Sequence, residues 1–158
     1  MARPRKKEFD LKEQLKCLQK AGLRPPPERP SEADNLLDPL PERVRKILGI
    51  VQAGPLKATE MTWLIMYDIS DDRVRLQIAK YLIRQGCIRI QKSVFIARSE
   101  NKHFEEVYQT LKEVNEMYDN EDSIILVPVN ASDVRSMKLI GKNVNIQAIT
   151  DPPTTLFF

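Results

Sequence analysis

The sequence holds one histidine, two cysteines, five glycines and one tryptophan in 158 residues. With His103 alone, and Cys17 and Cys87 far apart and outside any CxxC pair, a zinc site of the Cys/His kind has too few ligands. Two isolated thiols read instead as small buried side chains in a reducing cytoplasm. No apolar run approaches the roughly 18 residues that a membrane helix needs, so no membrane partner is expected. The basic start, residues 1–7, leads into an amphipathic pattern rather than the apolar stretch of a signal peptide, which points to the cytoplasm. The glycines do not cluster, so a glycine-rich effector loop is not in evidence. Net charge is only +3, too small by itself to establish a nucleic-acid partner, while 42% apolar and 30% charged residues predict a packed core.

What is present divides into two textures. Residues 1–60 predict a helical, proline-rich extension, partly flexible. Asp10 and Glu13 resemble a capping box, Leu11, Leu15, Leu18 and Ala21 share a helical face, and Gly22 suits the helix end. Pro25, Pro26, Pro27 and Pro30 then interrupt regular structure. A second short helix is predicted from Pro41, striped by Val44, Ile47, Leu48 and Val51 and punctuated by Gly54-Pro55. So little core predicts a loosely attached arm.

Residues 61–150 read as one domain, followed by an apolar tail over 151–158. The run 61–69 is apolar and long enough for a strand. Ser70, Asp71 and Asp72 open a helix that carries Val74, Leu76, Ile78, Ala79, Leu82 and Ile83 inward and stops at Gly86. Two short strands follow over 87–90 and 93–97. A further helix is striped by Phe104, Val107, Tyr108, Leu111, Val114 and Tyr118. Residues 123–129 form another strand, and 143–149 alternate by twos as an extra C-terminal strand. The order β-α-β-β-α-β is the split βαβ arrangement, so an α+β, ferredoxin-like sandwich is expected. Such a sheet has helices on one face, yet residues 63–67 and 124–127 are apolar on both. A second copy is the favoured cover, giving a face-to-face homodimer; the two N-terminal helices are the alternative.

Charge is segregated. Residues 73–92 contain Arg73, Arg75, Lys80, Arg84, Arg89 and Lys92 and no acid, whereas 100–122 hold eight acids against Lys102 and Lys112. Six cations on a helix and the strand after it form a phosphate-binding footprint, although any one of them also suits a solvated face. Asp68 ends the most apolar strand, where a carboxylate is costly unless it is paired, hydrogen-bonded or bound to a metal. It reads either as a strand-end acceptor for the following turn or as a ligand for Mg²⁺ or Mn²⁺, facing its copy across a two-fold axis. Asp71 and Asp72 suit helix capping better than metal binding.

The segments Tyr67-Asp68-Ile69-x-Asp71-Asp72-x-x-Arg75 and Arg89-Ile90-Gln91-x-Ser93-Val94-Phe95 resemble the signature of the CRISPR-associated Cas-two family, the small prokaryotic partner of the CRISPR integrase. The resemblance spans about ninety residues; residues 1–60 have no counterpart in it. It implies that Asp68 is the metal ligand, with Tyr67 and Ser93 beside it at the cleavage centre. It implies that Arg75, Arg89 and Phe95 lie near that centre or along the nucleic-acid path, with Tyr67 and Phe95 read alternatively as core aromatics, and that the last strand crosses to a second subunit. Arg73, Arg84 and Lys92 join the path from the charge pattern alone. Two activities follow. One is Mg²⁺- or Mn²⁺-dependent cleavage of single-stranded RNA or of DNA. The other, favoured as the cellular task, is a non-catalytic bridge between integrase dimers along a duplex DNA prespacer. For it the tail ending Leu156-Phe157-Phe158 is either a docking element or a segment folded back on its own domain. Two readings of another class rank lower: a ligand-sensing module on the same fold, and a tyrosine transposase, which lacks its histidine pair here.

Overall fold

The computed structural model describes residues 10–20, 37–118, 121–141 and 144–145. Two helices come first: α1 (Leu11–Lys20) and α2 (Leu40–Gln52). The domain follows as β1 (Glu60–Asp68), α3 (Asp72–Arg84), β2 (Ile88–Gln91), β3 (Val94–Glu100), α4 (Asn101–Glu116) and β4 (Ser123–Val129). A short helix α5 (Ala131–Ser136) and a two-residue hairpin, β5 (Ile140–Gly141) with β6 (Val144–Asn145), end the described chain. The expected strand over 143–149 lies outside the described residues except at Val144–Asn145.

The sheet runs β2-β3-β1-β4. Central β1 pairs antiparallel with β3, where Ile65 faces Phe95, and with β4, where Met66 faces Ile125 and Asp68 faces Ser123. Alternation along β1 sends Trp63, Ile65 and Tyr67 toward α3 and α4, and sends Leu64, Met66 and Asp68 to the other face. On the helical face Trp63 meets the Phe104 ring edge-on at 5.1 Å and donates its indole N–H to Ser99 Oγ at 2.9 Å. Val74, Ile78 and Leu82 of α3 and Val107, Leu111 and Val114 of α4 complete this core. Helix α3 stops at Gly86, whose φ of +85° lets Cys87 N–H reach the Leu82 carbonyl and its own N–H reach Ile83.

Neither N-terminal helix is loosely attached. Helix α1 sits against α3 and α4 with Leu11 and Leu15 buried in the same core. Tyr118 Oη donates to the Leu15 carbonyl, Gln19 Nε2 donates to the Met117 carbonyl, and Lys12 pairs with Glu113. Helix α2 lies on the opposite sheet face, where Ile47 packs with Ile90, Ile96 and Val134 of α5, and Arg43 donates to the Ile90 carbonyl. Part of the cover is thus the alternative to a second copy, the chain's own N-terminal helix. Over β2 and β3 the cover comes from the chain itself. Leu64 and Val129 pack against the same cluster, whereas toward the Asp68 end of β1 and β4 Met66 and Val127 are half-buried and Ile125 is 54% exposed among the described residues.

Candidate nucleic-acid interface

The end of β1 is where sequence and geometry meet. Tyr67 and Asp68 are consecutive, so they point to opposite faces. Tyr67 is 7% exposed and stacks on fully buried Phe95, ring centroids 6.1 Å apart. Arg89 lies over the same Phe95 ring at 5.8 Å. The backbone of the β2–β3 turn is the hub: the Lys92 carbonyl accepts from Arg89 Nη2 at 2.8 Å, Arg89 Nε at 3.2 Å and Tyr67 Oη at 3.5 Å. The Ser93 carbonyl accepts the Tyr67 N–H at 3.1 Å. Burial pushes the Tyr67 phenol up to about 12, against the opposing pull of Arg89 and Arg75, so it stays protonated at neutral pH.

Asp68 lies on the other face, exposed, and among the described residues its carboxylate makes no hydrogen bond or ion pair. The desolvation cost expected for it therefore does not arise. Neighbouring acids are committed elsewhere. Asp71 caps α3 by accepting Arg73 N–H at 2.8 Å and Val74 N–H at 3.3 Å, and Asp122 accepts Ser70 N–H at 2.9 Å. Asp72 pairs with Arg75 one turn on. The i, i+3 spacing of Asp72 and Arg75 is a sequence signal for that pair. No group of three or more His, Cys, Asp or Glu residues able to hold a metal exists among the described residues.

The expected site residues thus divide by place. Tyr67, Arg75, Arg89, Lys92 and Ser93 gather at one sheet end beside the start of α3, where Arg73 also sits, and Asp68 flanks them on the opposite face. Phe95 is in the core, so direct stacking on a base is closed to it; it carries Tyr67 and Arg89 instead. Arg84 lies nine residues beyond Arg75 along α3, about 13 Å at 1.5 Å per residue, and is not part of the cluster. Asp122, which fixes the β1–α3 loop through Ser70, was not anticipated; a lone acid before a strand carries no distinctive pattern. No helix among the described residues is long and apolar enough to cross a membrane.

These features define a class: a single-sheet α+β domain whose central strand ends in an exposed carboxylate beside a basic turn and helix. The sequence model described as CRISPR associated protein Cas2 matches residues 61–137. The chain is 35% identical over 78 residues to the CRISPR-associated endoribonuclease Cas2 of Aeropyrum pernix, spanning 49% of this chain and 83% of that protein. It is 34% identical over 79 residues to the protein of that name from Korarchaeum cryptofilum, spanning 50% and 83%. It is 35% identical over 81 residues to the CRISPR-associated endoribonuclease Cas2 2 of Synechocystis, again 50% and 83%. The chain belongs to the Cas2 family, and α1 and α2 precede the matching segment.

Proposed function

We propose that this protein is a CRISPR endonuclease of ferredoxin-like fold, acting as a homodimer on phosphodiesters of single-stranded RNA. The carrying observation is the exposed Asp68 carboxylate at the end of β1, beside the basic β2–β3 turn. The relatives' names support RNA as the substrate.

A hard oxygen donor open to solvent fits Mg²⁺ or Mn²⁺, which take one or two carboxylates and complete their shells with water and substrate phosphate. Asp68 from each of two copies would hold the ion, which supplies Lewis-acid polarisation of the phosphate when bound. The chain's own groups do the rest. Arg75, Arg73 and Lys92 draw the backbone to the sheet end. Tyr67, protonated and buried, fixes the β2–β3 turn rather than attacking. Ser93 holds β1 through its carbonyl.

A second reading, the non-catalytic bridge between integrase dimers on a duplex DNA prespacer, is favoured by Arg84. A cation about 13 Å along α3 from Arg75 exceeds what one cleavage centre needs, and a duplex lying along the protein would use it. An Asp68→Asn variant separates the two. Cleavage of single-stranded RNA in Mg²⁺ or Mn²⁺, with a chelator control, is expected to fall about 100-fold or more, given that even outer-shell changes at metal sites cost 10–100-fold. Retained spacer acquisition by that variant assigns the cellular task to bridging. Equal cleavage by variant and parent removes Asp68 from catalysis.

A further inference from the structure

Asp122 stands one residue before β4 and is half-buried. Strand β4 runs antiparallel to β1 with Ser123 opposite Asp68, so Asp122 lies beside the point where the chain leaves β1. Its Oδ1 accepts the Ser70 N–H at 2.9 Å, in the loop that joins β1 to α3. That loop is three residues long, and each is fixed in a different way. Ile69 is 3% exposed and packs in the core of the helical face. Ser70 is held by Asp122. Asp71 caps α3 through the Arg73 and Val74 N–H groups, and its carbonyl accepts the Arg75 N–H at 2.9 Å. Ser70 is exposed, so water could satisfy its N–H. What the carboxylate adds is direction. The Ser70 Cα lies at most about 7.6 Å from that of Asp68, and a tether this short passes freedom at Ser70 straight to the strand end.

We infer that Asp122 is a positioning residue for phosphodiester cleavage: it holds the end of β1 so that the Asp68 carboxylate keeps the direction a shared ion requires. The inference rests on the proposed metal-dependent reaction at Asp68 and adds the group that orients it. Mg²⁺ demands near-octahedral geometry at about 2.0–2.1 Å, so a drifting ligand backbone weakens its hold. Groups behind a metal ligand typically carry 10–100-fold in affinity or activity. The start of α3 is held separately by Asp71, so Arg73 and Arg75 keep their places when Asp122 changes.

The test uses the full chain with Asp122→Ala, which removes the acceptor, and Asp122→Asn, which keeps an amide oxygen in its place. In metal-free protein the Ser70 amide is expected to exchange with solvent faster in Asp122→Ala than in the parent or Asp122→Asn. Mn²⁺ binding, read from the free-ion signal in electron paramagnetic resonance, is expected to weaken about 10–100-fold in Asp122→Ala and to return toward the parent in Asp122→Asn. Cleavage of single-stranded RNA at one fixed Mn²⁺ concentration follows the same order, as a fall in kcat with KM kept. Urea midpoints stay at the parent value. An Asp122→Ala variant that matches the parent in Mn²⁺ affinity and kcat, while Asp68→Asn loses both, overturns the inference and leaves the Asp68 reading standing. Equal losses in both Asp122 variants, with lowered urea midpoints, also overturn it, since the residue then serves folding alone. A parent that neither binds Mn²⁺ nor cleaves RNA, or an Asp68→Asn variant that does both, overturns the Asp68 reading and this inference together.

Discussion

Two adjacent side chains, Tyr67 and Asp68, differ in everything their environments can change. The phenol is buried against Phe95 and held near the Lys92 carbonyl, whereas the carboxylate stands in solvent. Asp68→Asn is therefore expected to leave stability within about 0.5 kcal/mol of the parent, as exposed substitutions do, while removing cleavage. Tyr67 behaves oppositely. Its folded pKa of about 12 lies above the ordinary value of 10.0, so the unfolded chain loses the proton first. The stability this supplies is complete below pH 10 and declines as pH rises toward 12. Cys87, pushed by burial from 9.0 up to about 12, adds a similar decline that starts near pH 9. Urea unfolding midpoints measured from about pH 8 to 11 should fall with rising pH for the parent, and less steeply for a Tyr67→Phe/Cys87→Ala variant. Equal slopes would place neither group in the buried state described.

At the scale of elements, the seat of α1 and the end of α3 can each be tested by one substitution. Leu15 is fully buried between α1 and the α3–α4 pair, so Leu15→Ala is expected to cost about 2–5 kcal/mol in urea unfolding. A cost near zero would mean that α1 is not part of the cooperative unit. Gly86→Ala is expected to cost about 1 kcal/mol, because φ of +85° strains any residue bearing a Cβ. The same elements show what could be read in advance. Strand β4 was legible at both ends, and β1, α3 and the β2–β3 pair within one to three residues, because apolar periodicity, the Asp71 cap and Gly86 are local signals. Helix α5 was missed: six residues are too few for a helical stripe, and its one sign is the Asn130–Asp133 capping box. Cover of the sheet by the N-terminal helices was ranked second because they carry few large apolar residues, yet Ile47 of α2 reaches Ile90 and Ile96. At the site, the residue types were legible and their sides were not. Of the two readings of Phe95, nucleic-acid contact and core aromatic, its full burial opposite Ile65 bears out the second.

Across the whole molecule, the partial cover of the sheet decides where a second copy can sit. Helix α2 and α5 occupy the face over β2 and β3, so a two-fold contact there would require them to leave. Among the described residues the face is less covered at the Asp68 end of β1 and β4, where it carries Met66, Ile125 and Val127. Apolar area on that half is the remaining drive for association, at about 25 cal/mol per Å² buried. Placing a charge there separates folding from assembly. Ile125 is 54% exposed in the single chain, so Ile125→Lys should change the unfolding midpoint little. Buried between two copies, the same lysine would sit close to its symmetry mate, unpaired and desolvated. Sedimentation equilibrium is expected to show a dimer for the parent and a monomer for the variant, and metal-dependent cleavage should fall in step, because each copy brings one Asp68. A variant that remains dimeric and active would move the contact off this half of the sheet and separate the two carboxylates.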